Sequence, residues 1–286
     1  MFLQQIINGL ATGSIYAMVA LGYTMIYGIL GLINFAQGEI YMAGAFTAVL
    51  LISHLHVPFF FAFILALIVS SIVGVLMERL AFRPLRNSNP LIPLIAAIGV
   101  SLSLQSFARI LFGPNNRPFP IAIDYTIVHV FGAKIPMLDM VILGASGILM
   151  VALTVFVKRS KYGRAMVASA VDGDTARLMG INVNSMITLT FIIGSVLSGA
   201  AGVMTAVYYN ATYPTMGMLT GLKAFSAAIL GGVGSIPGAI IGGLILGVAE
   251  NLGAAYISSG LKDAVAFAIM IIVLILRPSG IFGKGR

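Results

Sequence analysis

The chain has 286 residues, of which 59% are hydrophobic and 8% are charged, and its mean hydropathy is +1.06. A soluble domain carries about a quarter charged residues, so this composition excludes a soluble globular protein and indicates an integral membrane protein in contact with membrane lipid. The net charge of +8 does not indicate a nucleic-acid partner, because the basic residues occupy short loops beside apolar segments, where they set orientation.

Eight apolar segments predict membrane-spanning helices, since an uncharged segment of about 20 residues crosses a bilayer as a helix. The predicted fold class is therefore all-α, a polytopic membrane helix bundle in which residues 1–286 form one transmembrane domain. The amino terminus lacks the charged region of a signal peptide and is predicted to stay on the chain. The predicted spans are 6–28, 40–55, 59–77, 91–112, 137–157, 186–208, 237–256 and 264–276.

The distribution of basic residues predicts the topology. Three joins between spans are basic, at 79–86, 158–177 and 277–286, and the positive-inside rule places them in the cytoplasm. This predicts an external amino terminus, an external loop 113–136 and a cytoplasmic carboxyl terminus. These assignments require one further crossing near 218–233. That segment is short, contains Lys223 and ends in two glycines, so we predict a short or broken membrane element there.

The loop 158–184 is the most polar part of the chain. Seven charged residues fall within positions 158–177, and five of the 16 basic residues are among them. Asp172 and Asp174 precede a short segment that ends at Gly180, a pattern that predicts a short helix with acidic residues at its start and glycine at its end. Such a loop either docks a moving partner or is an ordinary amphipathic cytoplasmic loop.

Six polar residues near or within the spans are candidates for a translocation pathway. An ionisable residue in a span is costly and usually faces the bundle interior. Two interpretations stay open, in which these residues line a pathway or fasten helices together by hydrogen bonds. The candidates are Asn34, Gln37, Glu39, Gln105, Glu250 and Asn251.

The chain shows no catalytic arrangement, metal-ligand cluster or phosphate-binding Gly-rich loop with a following Lys. We therefore predict no catalytic, cofactor or metal residues, and any ATP and Mg would bind partner subunits. An ion-coupled secondary transporter or channel using Glu39 or Glu250 is an alternative. A membrane-embedded enzyme would need clustered catalytic groups at one depth, which the sequence does not show.

Small residues recur every fourth position in two later spans, at Gly194, Ser198 and Gly202 and at Gly243 and Gly247. This spacing lets helix backbones approach closely. It predicts close packing inside one subunit, with a dimer contact as the alternative.

Several stretches resemble the branched-chain amino acid ABC permeases, particularly the first of the two permeases in that system. The polar loop resembles the cytoplasmic coupling loop of ABC importer permeases at Asp174, Ala176 and Gly180, with Thr175 in place of an alanine. The resemblance covers nearly the whole chain. The matching stretches are 8–10, 13–17, 22–28, 33–39, 78–86, 163–165, 178–182 and 223–238.

The resemblance implies one permease domain that works beside a second related permease in the bacterial inner membrane. Two cytoplasmic ATP-binding subunits would dock on 166–180, and an extracytoplasmic binding protein would deliver a hydrophobic amino acid such as Leu, Ile or Val. Permeases for urea or short amides are an alternative within the family. The implied ATPase-coupling residues are Arg164, Asp172, Asp174, Ala176, Arg177 and Gly180.

Overall fold

The computed structural model describes residues 2–86, 88–89, 91–120, 127–130, 133–277 and 279–283. In that part of the chain, α-helices dominate and one antiparallel hairpin is present. A π-helical turn joins α3 to α4, and a 3₁₀ turn precedes α12. The elements are α1 Phe2–Leu30, α2 Gln37–Leu55, α3 Phe59–Met77, α4 Arg83–Leu85, α5 Leu91–Phe112, β1 Ile127–Val130, β2 Ala133–Pro136, α6 Met137–Arg159, α7 Lys161–Val171, α8 Gly173–Leu178, α9 Val183–Tyr209, α10 Met216–Gly231, α11 Ile236–Tyr256 and α12 Lys262–Leu276.

The predicted all-α membrane bundle is confirmed. Eight helices of the described residues are long and apolar enough to cross a membrane, and they correspond to the eight predicted spans. The hairpin β1–β2 lies inside the predicted loop 113–136 and was not predicted. Residues 121–126 and 131–132 of that loop, and 284–286 of the last basic join, lie outside the described residues.

The extra element near 218–233 is α10, which has 16 residues. It is short, as predicted, and continuous rather than broken. Gly232 follows its last residue with a φ of +100°, a conformation that other residues rarely adopt. The carboxyl-terminal segment closes this end of α10, because Ile281 N donates to Leu230 O at 2.9 Å and Phe282 N donates to Gly231 O at 3.0 Å.

The described parts of the three basic joins meet at one end of the bundle, called here the basic end. Arg86 Nη1 donates to Asn184 Oδ1 at 2.7 Å, which ties the first join to the start of α9. A cavity of about 900 Å³ at this end is bordered by the end of α1, by Arg86, by α7 and by Gly234. The first and second joins therefore lie beside the α10–α11 connection, where the carboxyl-terminal segment also packs.

The opposite end, called here the hairpin end, holds the start of α12 and the connections α5–α6 and α9–α10. Arg117 and Thr212 exchange backbone hydrogen bonds of 2.9 Å, and Asn210 Oδ1 accepts from Phe119 N at 2.8 Å. These bonds fasten the connection after α5 onto the connection after α9. The basic and hairpin ends thus define two distinct faces of the protein.

The small-residue faces pack within the chain. Gly243 and Gly247 of α11 lie against α1, where a Cβ added at Gly13 would stand 2.8 Å from Gly243 O. Gly202 of α9 lies against the backbone of Tyr41. Helices α1, α2, α9 and α10 form the buried centre, whereas α3, α5, α6 and α12 expose large apolar side chains. The outer helices therefore offer the surface that meets lipid or other subunits.

Candidate functional site

The polar loop folds as two short capped helices, α7 and α8. Ser160 Oγ accepts from Gly163 N at 2.8 Å at the start of α7. Asp172 Oδ1 accepts from Asp174 N at 2.9 Å and from Thr175 N at 3.1 Å, so Asp172 caps α8. Gly180 follows α8 with a φ of +82°. The predicted short helix with an acidic start and a glycine at its end is confirmed.

The Asp172 carboxylate accepts hydrogen bonds from the Thr175 side chain and from the backbone of Thr175 and Asp174, and these bonds hold the pKa of Asp172 below its usual value. Because the pKa falls on folding, this cap stabilises α8 above the pKa of the unfolded chain. The stabilisation is lost as the pH falls through the lower pKa of the folded form. The cap is therefore fully formed at neutral pH.

One side of α8 packs against the protein, and the other side is exposed to solvent. Ala176 is 4% exposed and belongs to an apolar cluster with Phe82, Val183 and Ile187. Two apolar residues at the end of α8 are highly exposed, Leu178 at 89% and Met179 at 78%. The structure thus presents an apolar surface on a polar loop, the exposed face.

The exposed face is formed by Leu178 and Met179, together with Val171 at the end of α7, which is 83% exposed. We did not predict it from the sequence, although three apolar residues within a charged loop were a usable signal. Arg164 is exposed on α7, and the Arg177–Asp174 ion pair of 2.9 Å is exposed on α8. Such a solvated pair contributes little to stability, and both of its side chains are accessible to solvent.

Asn34 and Gln37, two of the candidate pathway residues, form a buried hydrogen-bonded contact with α9. Gln37 receives a hydrogen bond from Asn34 at 3.1 Å and donates to Gly194 O at 3.0 Å and Ser198 Oγ at 2.7 Å. All of these groups are buried, so the contact fastens the break between α1 and α2 onto α9.

Glu39 and Gln105 are brought together from α2 and α5. Glu39 Oε1 accepts from Gln105 Nε2 at 2.9 Å and from Ser101 Oγ at 3.0 Å. The side chain of Glu39 is fully buried, and its Oε2 has no hydrogen-bond partner among the described residues. Ser101 and Gln105 also line a mostly apolar cavity of about 230 Å³.

Glu250 lies in a separate charged cluster, with hydrogen-bond partners that differ from those of Glu39. Lys223 Nζ of α10 is 2.6 Å from Glu250 Oε1 and 2.5 Å from Asp263 Oδ1, while Lys262 Nζ is 3.7 Å from Glu250 Oε1. Asn251, beside Glu250, donates to Thr12 Oγ1 at 2.7 Å and fastens α11 to α1. The four charged residues are called here the charged cluster.

We did not include Lys223 among the candidate site residues. Its presence in an apolar segment was nevertheless a signal, because a cation inside the membrane needs a partner. The partner Glu250 is 27 positions away in sequence, so only the packing of α10 against α11 reveals the pair.

A cavity of about 270 Å³ lies beside the charged cluster, toward the hairpin end. Lys223, Lys262 and Asp263 form its charged wall. The remaining walls are mostly aromatic or apolar, and come from α1, α2, α9, α10 and the α9–α10 connection. They include Tyr16, Tyr41, Tyr209, Tyr213, Met216 and Leu219.

The helix bundle and its capped helical loop define a multi-pass membrane protein with an exposed helical loop at one end. The chain belongs to the family described as "Branched-chain amino acid transport system / permease component", which matches residues 5–274. Membership agrees with the resemblance noted in the sequence, and the relatives that the chain matches are described as transport permease proteins.

The chain is 44% identical over 295 residues to the high-affinity branched-chain amino acid transport system permease protein LivH of Escherichia coli K12, covering 99% of this chain and 96% of LivH. It is 26% identical to the permease protein LivM of Salmonella typhimurium, covering 95% of this chain and 68% of LivM. The solved structure of PsaBC from Streptococcus pneumoniae in complex with Fab aligns with a TM-score of 0.53 and 14% identity, covering 99% of this chain and 94% of that one. The last likeness shows a shared fold.

Proposed function

We propose that this chain is the permease subunit of an ABC importer for branched-chain or similar hydrophobic amino acids in the bacterial inner membrane. The observation that carries the proposal is the family match over residues 5–274, with 44% identity to LivH across nearly the whole chain. A second permease related to LivM completes the pathway, an external binding protein delivers the substrate, and two cytoplasmic subunits bind ATP and Mg.

The α7–α8 loop is the part of the chain through which ATP binding drives transport. Its exposed face, Val171, Leu178 and Met179, offers apolar area that stabilises a contact with an ATP-binding subunit. Ala176 joins α8 to an apolar cluster that includes residues of α9, so a displacement of α8 is transmitted to that helix. Closure of the ATPase pair thus shifts the helices between outward-open and inward-open arrangements.

The first test removes the apolar contact without touching the bundle. We expect the double substitution Leu178→Asp and Met179→Asp to lower ATP-driven uptake by at least about tenfold, because charged side chains cannot occupy a desolvated apolar contact. Both side chains are highly exposed, so insertion and folding should be unchanged. The measurement is leucine uptake by vesicles that contain the assembled transporter.

The matched control exchanges the two residues, Leu178→Met with Met179→Leu, and keeps the apolar surface. Uptake should then stay near the wild-type level. Full uptake by the aspartate variant, or uptake that survives deletion of 176–180, would contradict coupling through α8.

The proposed orientation places the basic end in the cytoplasm and the amino terminus outside. The chain has no cysteine, so single cysteines can report the topology without background labelling. Ala168 is exposed on α7, whereas its neighbour Ser169 is buried; Asn115 is exposed at the hairpin end. We expect a membrane-impermeant maleimide to label Asn115→Cys in intact cells and Ala168→Cys only in inverted vesicles. Labelling of Ala168→Cys from outside would show that the topology is the reverse of the proposed one, and it would refute docking of cytoplasmic ATPases on this loop.

A further inference from the structure

The charged wall of the hairpin-end cavity contains both signs of charge close together. Lys262 and Asp263 stand side by side at the start of α12, and Lys223 lies between Asp263 and Glu250. Two cations and two anions leave the charged cluster with no net charge. A single ion gains little from such a wall, whereas a molecule that carries an ammonium and a carboxylate can pair with both signs at once.

Two groups of this wall have capacity for further contacts. The Asp263 side chain is 52% exposed, although it already pairs with Lys223, and a carboxylate accepts several hydrogen bonds. Lys262 is held loosely, since its Nζ is 3.7 Å from Glu250 Oε1 and 3.4 Å from the Tyr209 hydroxyl. Behind them, Oε2 of the fully buried Glu250 has no hydrogen-bond partner among the described residues.

The other walls suit an aliphatic side chain. Met216 and Leu219 are apolar, and the surrounding tyrosines offer aromatic rings with a polar tip. The volume of about 270 Å³ is close to the lower end of the range of about 300–1,000 Å³ for small-molecule sites. A cavity of this size accommodates a single small molecule rather than a peptide.

We propose that this cavity is a transient binding site for an aliphatic amino acid zwitterion entering from the hairpin end. Lys262 pairs with the substrate carboxylate, Asp263 pairs with its ammonium group, and the tyrosine and Met216–Leu219 walls contact the side chain. This inference rests on the proposed function, which supplies the substrate class, and it assigns substrate contacts to the permease itself. The sequence analysis did not single out this charge pair, which directly precedes the predicted span 264–276.

The test measures binding by the full-length chain alone, purified in lipid nanodiscs without ATP or a binding protein. Radiolabelled leucine should bind, and unlabelled leucine should displace it. Isoamylamine, which lacks the carboxylate, and 4-methylpentanoate, which lacks the ammonium group, should compete at least about tenfold less well, since each forfeits one charge-assisted contact.

The variants Lys262→Gln and Asp263→Asn should each weaken leucine binding by about tenfold or more. Lys262→Arg and Asp263→Glu keep the charges and should retain most of it, which separates recognition from loss of folding. Lys158→Gln, an identical change at an exposed position of the basic end, is the matched control and should bind as the wild type does.

Two results would overturn the site. One is leucine binding that is unchanged in both neutral variants. The other is no leucine binding by the wild-type chain at millimolar concentration while the assembled transporter still takes up leucine. The second result leaves the proposed function intact, because uptake and its dependence on Leu178 and Met179 are measured in a separate experiment.

Discussion

The Lys223→Met substitution is expected to destabilise the folded protein by about 3–5 kcal/mol, because it leaves the buried Glu250 without its cation at 2.6 Å. Lys262 compensates only in part, since its Nζ is 3.7 Å from the same oxygen. Most single domains tolerate a loss of this size poorly. The yield of monodisperse protein after detergent extraction, and its thermal unfolding temperature, should both fall markedly.

The control for this prediction is the double variant Lys223→Met with Glu250→Gln. It removes both charges, so no uncompensated ion stays in the interior, and much of the lost stability should return. A double variant that is destabilised by the sum of the two single changes would show that Lys223 and Glu250 do not interact. The structure would then be wrong about the contact between α10 and α11 at this position.

The Gly247→Val substitution should prevent α11 from packing on α1. A Cβ at position 247 overlaps the backbone of Gly13, and a backbone cannot rotate away as a flexible side chain can. Overpacking costs about 1–3 kcal/mol in cores that can adjust, and we expect at least the upper value here. Measured by the same thermal unfolding assay, this variant should be among the least stable.

Gly144→Val provides the matched control. Gly144 of α6 is exposed, and a Cβ there meets nothing within 4 Å. Its unfolding temperature should be close to that of the wild-type protein. Equal destabilisation of both variants would indicate a general intolerance of valine in these helices rather than a close contact between α1 and α11.

Those features that depend on neighbouring residues were predictable from the sequence. Apolar length predicts the spans, and the positions of the three basic joins required an additional short element near 218–233, where the structure has the 16-residue helix α10. The cap at Asp172 and the end at Gly180 were also predictable, since a capping side chain bonds amides only two or three positions away.

Features that depend on distant residues were not predictable in the same way. The sequence singled out Glu39, Gln105 and Glu250 as costly polar groups, but it did not pair Glu39 with Gln105 or Glu250 with Lys223. Apolar spans all have similar hydropathy, so hydropathy does not specify which helix faces which. The hairpin β1–β2 was missed because only four residues form each strand.

The amino-acid sequence alone thus determined that this is a multi-pass helical membrane protein, where its spans fall and which loop is capped and polar, because these follow from chain-local hydropathy, charge and capping. Three further features became known from the packing of the helices: the pairing of the buried charges, the inward position of Ala176 and outward position of Leu178 on α8, and the cavity with charged residues at the hairpin end. These features depend on which helices are in contact. Helix contacts in a membrane are determined by the close packing of small residues and by a few hydrogen bonds between residues that are far apart in the sequence.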